Sequence, residues 1–280
     1  MSLVESKAGK FEGLFQNECH QFFGIPYAKY NHRWGESFLI EEEIYLKALK
    51  KGDSAPQTRS DDQSQSGASF FQDTSLSKQS EDCLTLNICS NNIKAKNPVM
   101  IWIHGGALVT GGSSSIMYDL EHLAKKGVVV VSINYRLGPL GFLRLDEATN
   151  GQINSSGNEG LMDQRNAIKW VKENISSFGG DPNNITIFGE SAGSWSCNLQ
   201  IAAGHDNLFQ KAICQSGGLD AIATKEKANQ WAELFIDQFE KDGYKVSDLR
   251  SCDWNSIINT AKKLKHTRLS DGKRWIFPEV

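Results

Sequence analysis

The stretch Ile185-Thr186-Ile187-Phe188-Gly189-Glu190-Ser191-Ala192-Gly193-Ser194 decides how the chain is read. A β-branched, apolar run leads directly into Gly-x-Ser-x-Gly, the sequence form of a nucleophile elbow. In such an elbow the backbone turns from strand to helix so sharply that a Cβ at either flanking glycine would strike its neighbours. Ser191 is left at the apex with its Oγ outward. The competing reading is a Gly/Ser-rich turn between two core elements, and the surrounding sequence has to decide.

Working outward, buried strands recur ahead of the elbow. Pro98 to Ile103 is a continuous apolar run, as expected for a central strand covered on both faces, and Gly127 to Ile133 is another. Leu84 to Cys89 alternates with period two. Between these lie helical patterns: Leu120 to Lys126, and Asn158 to Asn174 with Leu161, Ala167, Ile168, Val171 and Ile175 at helical spacing and Trp170 beside them. Strands alternating with helices predict an α/β protein with a mostly parallel central sheet and flanking helices. Glycines and apolar residues from Lys10 to Tyr30 predict a small antiparallel N-terminal sheet ahead of it. Trp34 to Lys51 reads as a connecting segment with a short helix, and Gln57 to Glu81, rich in Ser, Gln, Asp and Thr, as a long surface loop. Beyond the elbow, Gly193 to Ala203 is expected as the helix carrying the serine and Phe209 to Gln215 as a short buried strand. Ala228, Trp231, Ala232, Phe235 and Phe239 then share a helix face, followed by Ile257, Ile258, Ala261 and Leu264. The whole of residues 1–280 reads as a single domain.

Composition narrows the function. The 280 residues are 39% hydrophobic with formal net charge −3, so nothing attracts nucleic acid or an anionic membrane. No run reaches the roughly 18 apolar residues of a membrane span, and Met1 to Lys7 contains no apolar signal core, which predicts a cytoplasmic location. The sequons at Asn154, Asn174 and Asn184 then read as chance. Six scattered cysteines, without Cys-x-x-Cys pairs or histidines at zinc spacing, predict buried free thiols and no metal site. No cofactor is implied, and the oligomeric state is open.

A serine needs a base to take its proton, an acid to orient that base, and donors to hold an oxyanion. The donors are visible. One backbone N–H comes from Ala192, the residue after the serine, and others from a glycine-rich loop after an earlier strand. His104-Gly105-Gly106-Ala107 stands where that loop belongs, directly after Ile103.

These blocks resemble the type-B carboxylesterase family of α/β-hydrolases, the group that includes para-nitrobenzyl esterases and cholinesterases. The resemblance is carried by Phe23-Gly24-Ile25-Pro26-Tyr27-Ala28, Glu81-Asp82-Cys83-Leu84-Thr85-Leu86-Asn87, Trp102 to Ala107, Asn134-Tyr135-Arg136-Leu137-Gly138, Gly157 to Arg165, Phe178 to Pro182, the elbow, and Gln215-Ser216-Gly217. It covers nearly the whole chain. It implies an α/β-hydrolase fold and a serine esterase acting on small carboxylic esters. Ser191 would be the acyl-ester nucleophile, with the N–H groups of Gly106, Ala107 and Ala192 as oxyanion donors. It also implies that Arg136, Asp163 and Arg165 are a structural ion-pair network, and that Glu190 shapes the field of the substrate cavity.

Two departures from the family pattern stand out. The upstream Cys-Pro-Gln that partners the cysteine of Glu-Asp-Cys appears here as Ala55-Pro56-Gln57, leaving Cys83 without its usual partner. The family's triad runs Ser, then Glu or Asp, then His, and Phe277 to Val280 resembles a point reached before the acid and the histidine. His104 belongs to the oxyanion loop, His20, His32 and His122 precede the elbow in segments with other roles, and His205 and His266 read as surface histidines. The sequence therefore predicts a domain incomplete at its C-terminus, lacking its last strands and exposing a hydrophobic sheet edge. A catalytically silent relative serving as a binding or adhesion module is the rival class.

Overall fold

The computed structural model describes residues 1–58, 78–204, 207–218 and 222–264. Eleven strands and six α-helices follow one another along them: β1 (Ser2–Ser6), β2 (Gly9–Gln16), β3 (Cys19–Pro26), β4 (Ala28–Lys29), β5 (Phe38–Leu39), β6 (Ile44–Lys47), β7 (Thr85–Ser90), β8 (Asn97–Ile103), α1 (Leu120–Ala124), β9 (Val129–Ile133), α2 (Gly138–Phe142), α3 (Glu159–Asn174), β10 (Gly180–Glu190), α4 (Ala192–Ala202), β11 (Lys211–Gln215), α5 (Lys225–Lys241) and α6 (Trp254–Lys263). The main sheet has the order β1-β2-β3-β7-β9-β8-β10-β11, with β6 also paired to β2. Its half from β9 to β11 is parallel, and its other half, from β1 to β7, pairs antiparallel and joins β9 antiparallel. The α/β class, the mostly parallel centre and the antiparallel N-terminal strands all match the sequence expectation. The antiparallel strands are continuous with the centre through β3 and β7.

The central strands are buried for the reason their composition suggests. Val99, Ile101, Ile103, Val129, Val131, Ile133, Ile185 and Ile187 are fully enclosed. Opposite them, α3 presents Ala167, Ile168, Trp170 and Val171, and Trp170 meets Phe11 edge-on with ring centroids 6.3 Å apart. A second cluster gathers Trp231, Phe235 and Phe239 of α5 with Ile257, Ala261 and Leu264 around Leu140 and Leu143. Both C-terminal helices thus pack on the faces their spacing predicts.

Four expectations are corrected. The segment from Trp34 to Lys51 holds the strands β5 and β6 instead of a short helix. β6 runs parallel to Gly9–Glu12 of β2, so close that a Cβ on Gly9 would lie 2.0 Å from the Ile44 carbonyl oxygen. β11 is an exposed strand at the end of the sheet order, with Ile213 44% exposed. An apolar run carries no information about how many neighbours will cover it. Gln57, assigned to a surface loop, is 5% exposed and fully hydrogen-bonded; the rest of that loop between 59 and 77 lies outside the described residues. All six cysteines are free, but Cys214 is exposed and Cys252 partly so. The sequon residue Asn174 is buried and accepts a hydrogen bond from the Ala8 amide, leaving no room for a glycan.

The buried part of the expected ion-pair network is a fork between Arg136 and Asp163. Arg136 Nε and Nη2 each donate to a different oxygen of Asp163 at 2.7 Å, and the side chains are 3% and 0% exposed. Arg165 is only partly buried. The guanidinium also donates to the Gly35 carbonyl and sits over the Tyr30 ring, tying the N-terminal strands to α3. Burial opposes the charge on Arg136, but the adjacent Asp163 carboxylate outweighs it and raises the pKa. Asp163→Asn strands a buried cation, and chemical denaturation should show a loss of about 3–5 kcal/mol. A loss below 1 kcal/mol would mean that the pair does not hold the two halves together.

Candidate active site

The serine stands where a strand becomes a helix. β10 ends at Glu190, Ser191 has φ 55° and ψ −122°, and α4 begins at Ala192. A left-handed φ in a residue with a Cβ costs on the order of 1–3 kcal/mol and persists only where the surroundings enforce it. Here they do. A Cβ on Gly193 would lie 2.1 Å from the Ile103 carbonyl oxygen, and one on Gly189 would lie 2.5 Å from the Gly193 carbonyl carbon. On the other side the Ser191 amide donates to the Gln215 carbonyl of β11 at 2.8 Å, and a Cβ on Gly217 would come within 2.7 Å of the Ser191 carbonyl. The helix starts at Ala192, one residue earlier than the sequence suggests, because the turn consumes only Ser191.

The glycine loop meets this apex directly. A Cβ on Gly105 would sit 3.3 Å from Ser191 Cβ and 2.6 Å from the Glu190 carbonyl oxygen. The two motifs, 85 positions apart in sequence, form one site because β8 and β10 are paired neighbours, with Gly189 opposite Ile103. Glu190 is exposed, its carboxylate at the rim near Gly105.

The loop's carbonyls fix where its amides point. In a trans peptide the N–H lies opposite the C=O. His104 Nδ1 donates to the Gly105 carbonyl at 2.8 Å, which turns the Gly106 N–H the other way. The Gly106 carbonyl accepts from the Val109 and Thr110 amides, both at 3.0 Å, and from Thr110 Oγ1 at 3.2 Å, which does the same for the Ala107 N–H. Gly106, Ala107 and Leu108 have φ of 109°, 53° and 58°, a tight turn that presents successive N–H groups on one side. None of the N–H groups of Gly106, Ala107 and Ala192, nor Ser191 Oγ, has a hydrogen-bond partner among the described residues.

His104 belongs to this scaffold. Its ring is buried, stacked on Tyr135 at 4.5 Å, while Tyr135 Oη donates to the His104 carbonyl at 2.7 Å. A carbonyl only accepts, so Nδ1 carries the proton and Nε2 holds a lone pair. Burial lowers the ring's pKa from 6.5 to about 4 against the opposing bond to Gly105. The remaining described histidines are engaged elsewhere: His20 with Ser2, His32 with Arg250, and His122 with Asp119 at the start of α1, which packs on β7 and β9. His205 and His266 lie outside the described residues. Three contributors to the loop escape the sequence reading: Tyr135, Thr110 and Gln57. Tyr135 and Gln57 carried a signal, since each lies in a motif quoted above, Asn134 to Gly138 and Ala55-Pro56-Gln57.

With this geometry established, the comparisons decide the family. The carboxylesterase family model matches residues 1–275. The chain belongs to the carboxylesterase family. It is 40% identical over 271 residues to the para-nitrobenzyl esterase of Bacillus subtilis, covering 94% of this chain and 53% of that protein. It is 42% identical over 268 residues to the bile salt-activated lipase of Bos taurus, covering 88% and 41%. A solved para-nitrobenzyl esterase superposes with TM-score 0.80 at 37% identity over 95% of this chain and 54% of its own. A Geobacillus stearothermophilus carboxylesterase superposes with TM-score 0.82 at 34% identity, covering 94% and 53%. The chain thus spans about half the length of these relatives.

Folding lowers the His104 pKa, so on acidification the unfolded chain takes up the proton first. The stability held by the neutral ring, about 3 kcal/mol, is complete above pH 6.5 and is lost as pH falls to about 4. Denaturation midpoints of His104→Gln should therefore fall less steeply than those of the wild type between pH 7 and pH 4. Parallel profiles would mean that the ring is solvated.

Proposed function

We propose that the chain carries the nucleophile and the oxyanion site of a serine carboxylic-ester hydrolase. Ser191 Oγ attacks the carbonyl of a small ester, and the carbonyl oxygen becomes an oxyanion received by the N–H groups of Gly106, Ala107 and Ala192. Collapse of that intermediate breaks the C–O bond, releases the alcohol and leaves an acyl-enzyme, which water then hydrolyses. A base must remove the serine proton and return it to the leaving alcohol. The described histidines are all engaged elsewhere, and the family resemblance implies a histidine and an acid beyond residue 280. The observation that carries this reading is the meeting of a strained serine apex with three unpartnered N–H groups on preformed backbone. Losing one such donor costs about 2.7–4 kcal/mol in the transition state.

The partner is a small carboxylic ester. The net charge of −3 offers nothing to nucleic acid, and no helix among the described residues is long and apolar enough to cross a membrane. Six free cysteines fit a reducing compartment, the cytoplasm.

A fluorophosphonate probe tests the assignment, because it reacts at phosphorus with an activated serine and stays attached. Lengthened by a C-terminal segment that supplies the base, the chain should label at Ser191, and Ser191→Ala in the same lengthened protein should not label. A C-terminal segment like that of the relatives should confer turnover of para-nitrophenyl butyrate. Labelling that survives in Ser191→Ala would remove the nucleophile. A lengthened protein that neither labels nor turns over ester would make this a binding module.

A further inference from the structure

We propose that Gln57 is a positioning residue for the oxyanion loop, holding the Gly106 and Ala107 amides on station by clamping Gly111; this inference rests on the hydrolase reading above. Gln57 Nε2 donates to the Gly111 carbonyl at 2.8 Å, and Gln57 Oε1 accepts from the Gly111 amide at 2.9 Å, a closed pair of hydrogen bonds on one backbone residue. The second Nε2 hydrogen goes to the Ala55 carbonyl at 3.0 Å. Gly111 offers one donor and one acceptor, so the side chain's orientation is dictated and its hydrogens are all used.

What Gly111 touches explains the consequence. A Cβ on Gly111 would lie 2.5 Å from His104 Nδ1 and 2.7 Å from the Gly105 carbonyl oxygen. Gly111 is thus the wall behind the His104–Gly105 hydrogen bond that turns the Gly106 amide. Its predecessor Thr110 supplies two of the three donors that hold the Gly106 carbonyl and so turn the Ala107 amide. One clamp therefore governs both amide orientations, and it does so 54 positions from Gly111 in sequence. The clamp is itself anchored: the Gln57 amide donates to Gln79 Oε1 at 3.1 Å, and Ser54 bridges to Gln79 in parallel register.

The chemistry requires a neutral side chain with a donor and an acceptor at amide spacing. Leucine of similar size supplies neither. Glutamate, when ionised, keeps the acceptor but turns a carboxylate oxygen toward the Gly111 carbonyl; when protonated it regains the donor. Burial raises the pKa of such a carboxyl.

The test combines amide hydrogen exchange with fluorophosphonate labelling of the protein lengthened to supply the base, with thermal denaturation confirming that each variant is folded at the assay temperature. In Gln57→Leu, exchange across residues 104–112 should accelerate about tenfold or more, with peptides of β9 and α3 unchanged. The labelling rate of Ser191 should fall about 10- to 100-fold. In Gln57→Glu the rate relative to wild type at the same pH should climb as pH falls from 8 to 5, because protonation rebuilds the clamp. Exchange across 104–112 that matches wild type overturns the proposal whether or not Ser191 reacts. Faster exchange with undiminished labelling overturns it too, as does a Gln57→Glu ratio flat with pH. A lengthened wild-type protein with no Ser191 labelling overturns the hydrolase reading, whereas unchanged exchange across 104–112 in Gln57→Leu overturns the role of Gln57, so the two failures are told apart.

Discussion

The Ile103 carbonyl oxygen leaves no space for a side chain at Gly193, and the rest of the site follows from that crowding. At the C-terminal ends of β8 and β10 the backbone of one strand presses against the first turn of the helix that follows the other. Only glycine at 189 and 193 allows the approach. With it, Ser191 is forced into a left-handed conformation and its side chain is lifted clear of the helix. The strain is local, and the pairing of β8 with β9 and β10 supports it. The glycine loop that leaves β8 is delivered within van der Waals contact of the serine. A wider separation of the two strands would relax the elbow and lose the site together.

The polar groups around the loop divide into those that act on substrate in the proposed reaction and those that hold the loop. His104, Tyr135, Thr110 and Gln57 each form hydrogen bonds to backbone on the side away from Ser191. That arrangement satisfies the carbonyls of His104, Gly105 and Gly106 and leaves the opposing amides unpaired among the described residues. Unpaired donors beside Ser191 are costly to keep and useful only to an incoming negative oxygen. The neutral state of His104 fits this role, since a protonated ring would place an uncompensated charge in the core.

Much of this was legible in the sequence because it is local. Gly189 to Gly193 specifies an elbow through the sterics of adjacent residues, and the apolar runs at Val99 and Val129 specify buried strands through composition alone. The helix faces of α3, α5 and α6 follow from periodicity. What escaped depends on neighbours in space. Gln57 stands at the edge of a Ser- and Gln-rich stretch, and nothing nearby announces that Gly111 will pair with it. Ile213 lies in a short apolar run, Ala212-Ile213-Cys214, that reads as a strand, and nothing in it says that β11 has no strand beyond it among the described residues. β6 looked like charged connecting chain because its pairing with Gly9 is a tertiary event. The Arg136–Asp163 fork was legible only through the resemblance, because a charge pattern does not reveal its own burial.

A crystal structure of the protein lengthened to supply the base and phosphonylated at Ser191 would show directly whether the glycine loop receives the oxyanion. The phosphoryl oxygen should lie about 2.7–3.1 Å from the backbone nitrogens of Gly106, Ala107 and Ala192, with the Gly105 and Gly106 carbonyls still turned toward His104 and Thr110. A phosphoryl oxygen directed to solvent, or a loop whose peptides have flipped to present carbonyls to it, would mean that these amides do not form an oxyanion site.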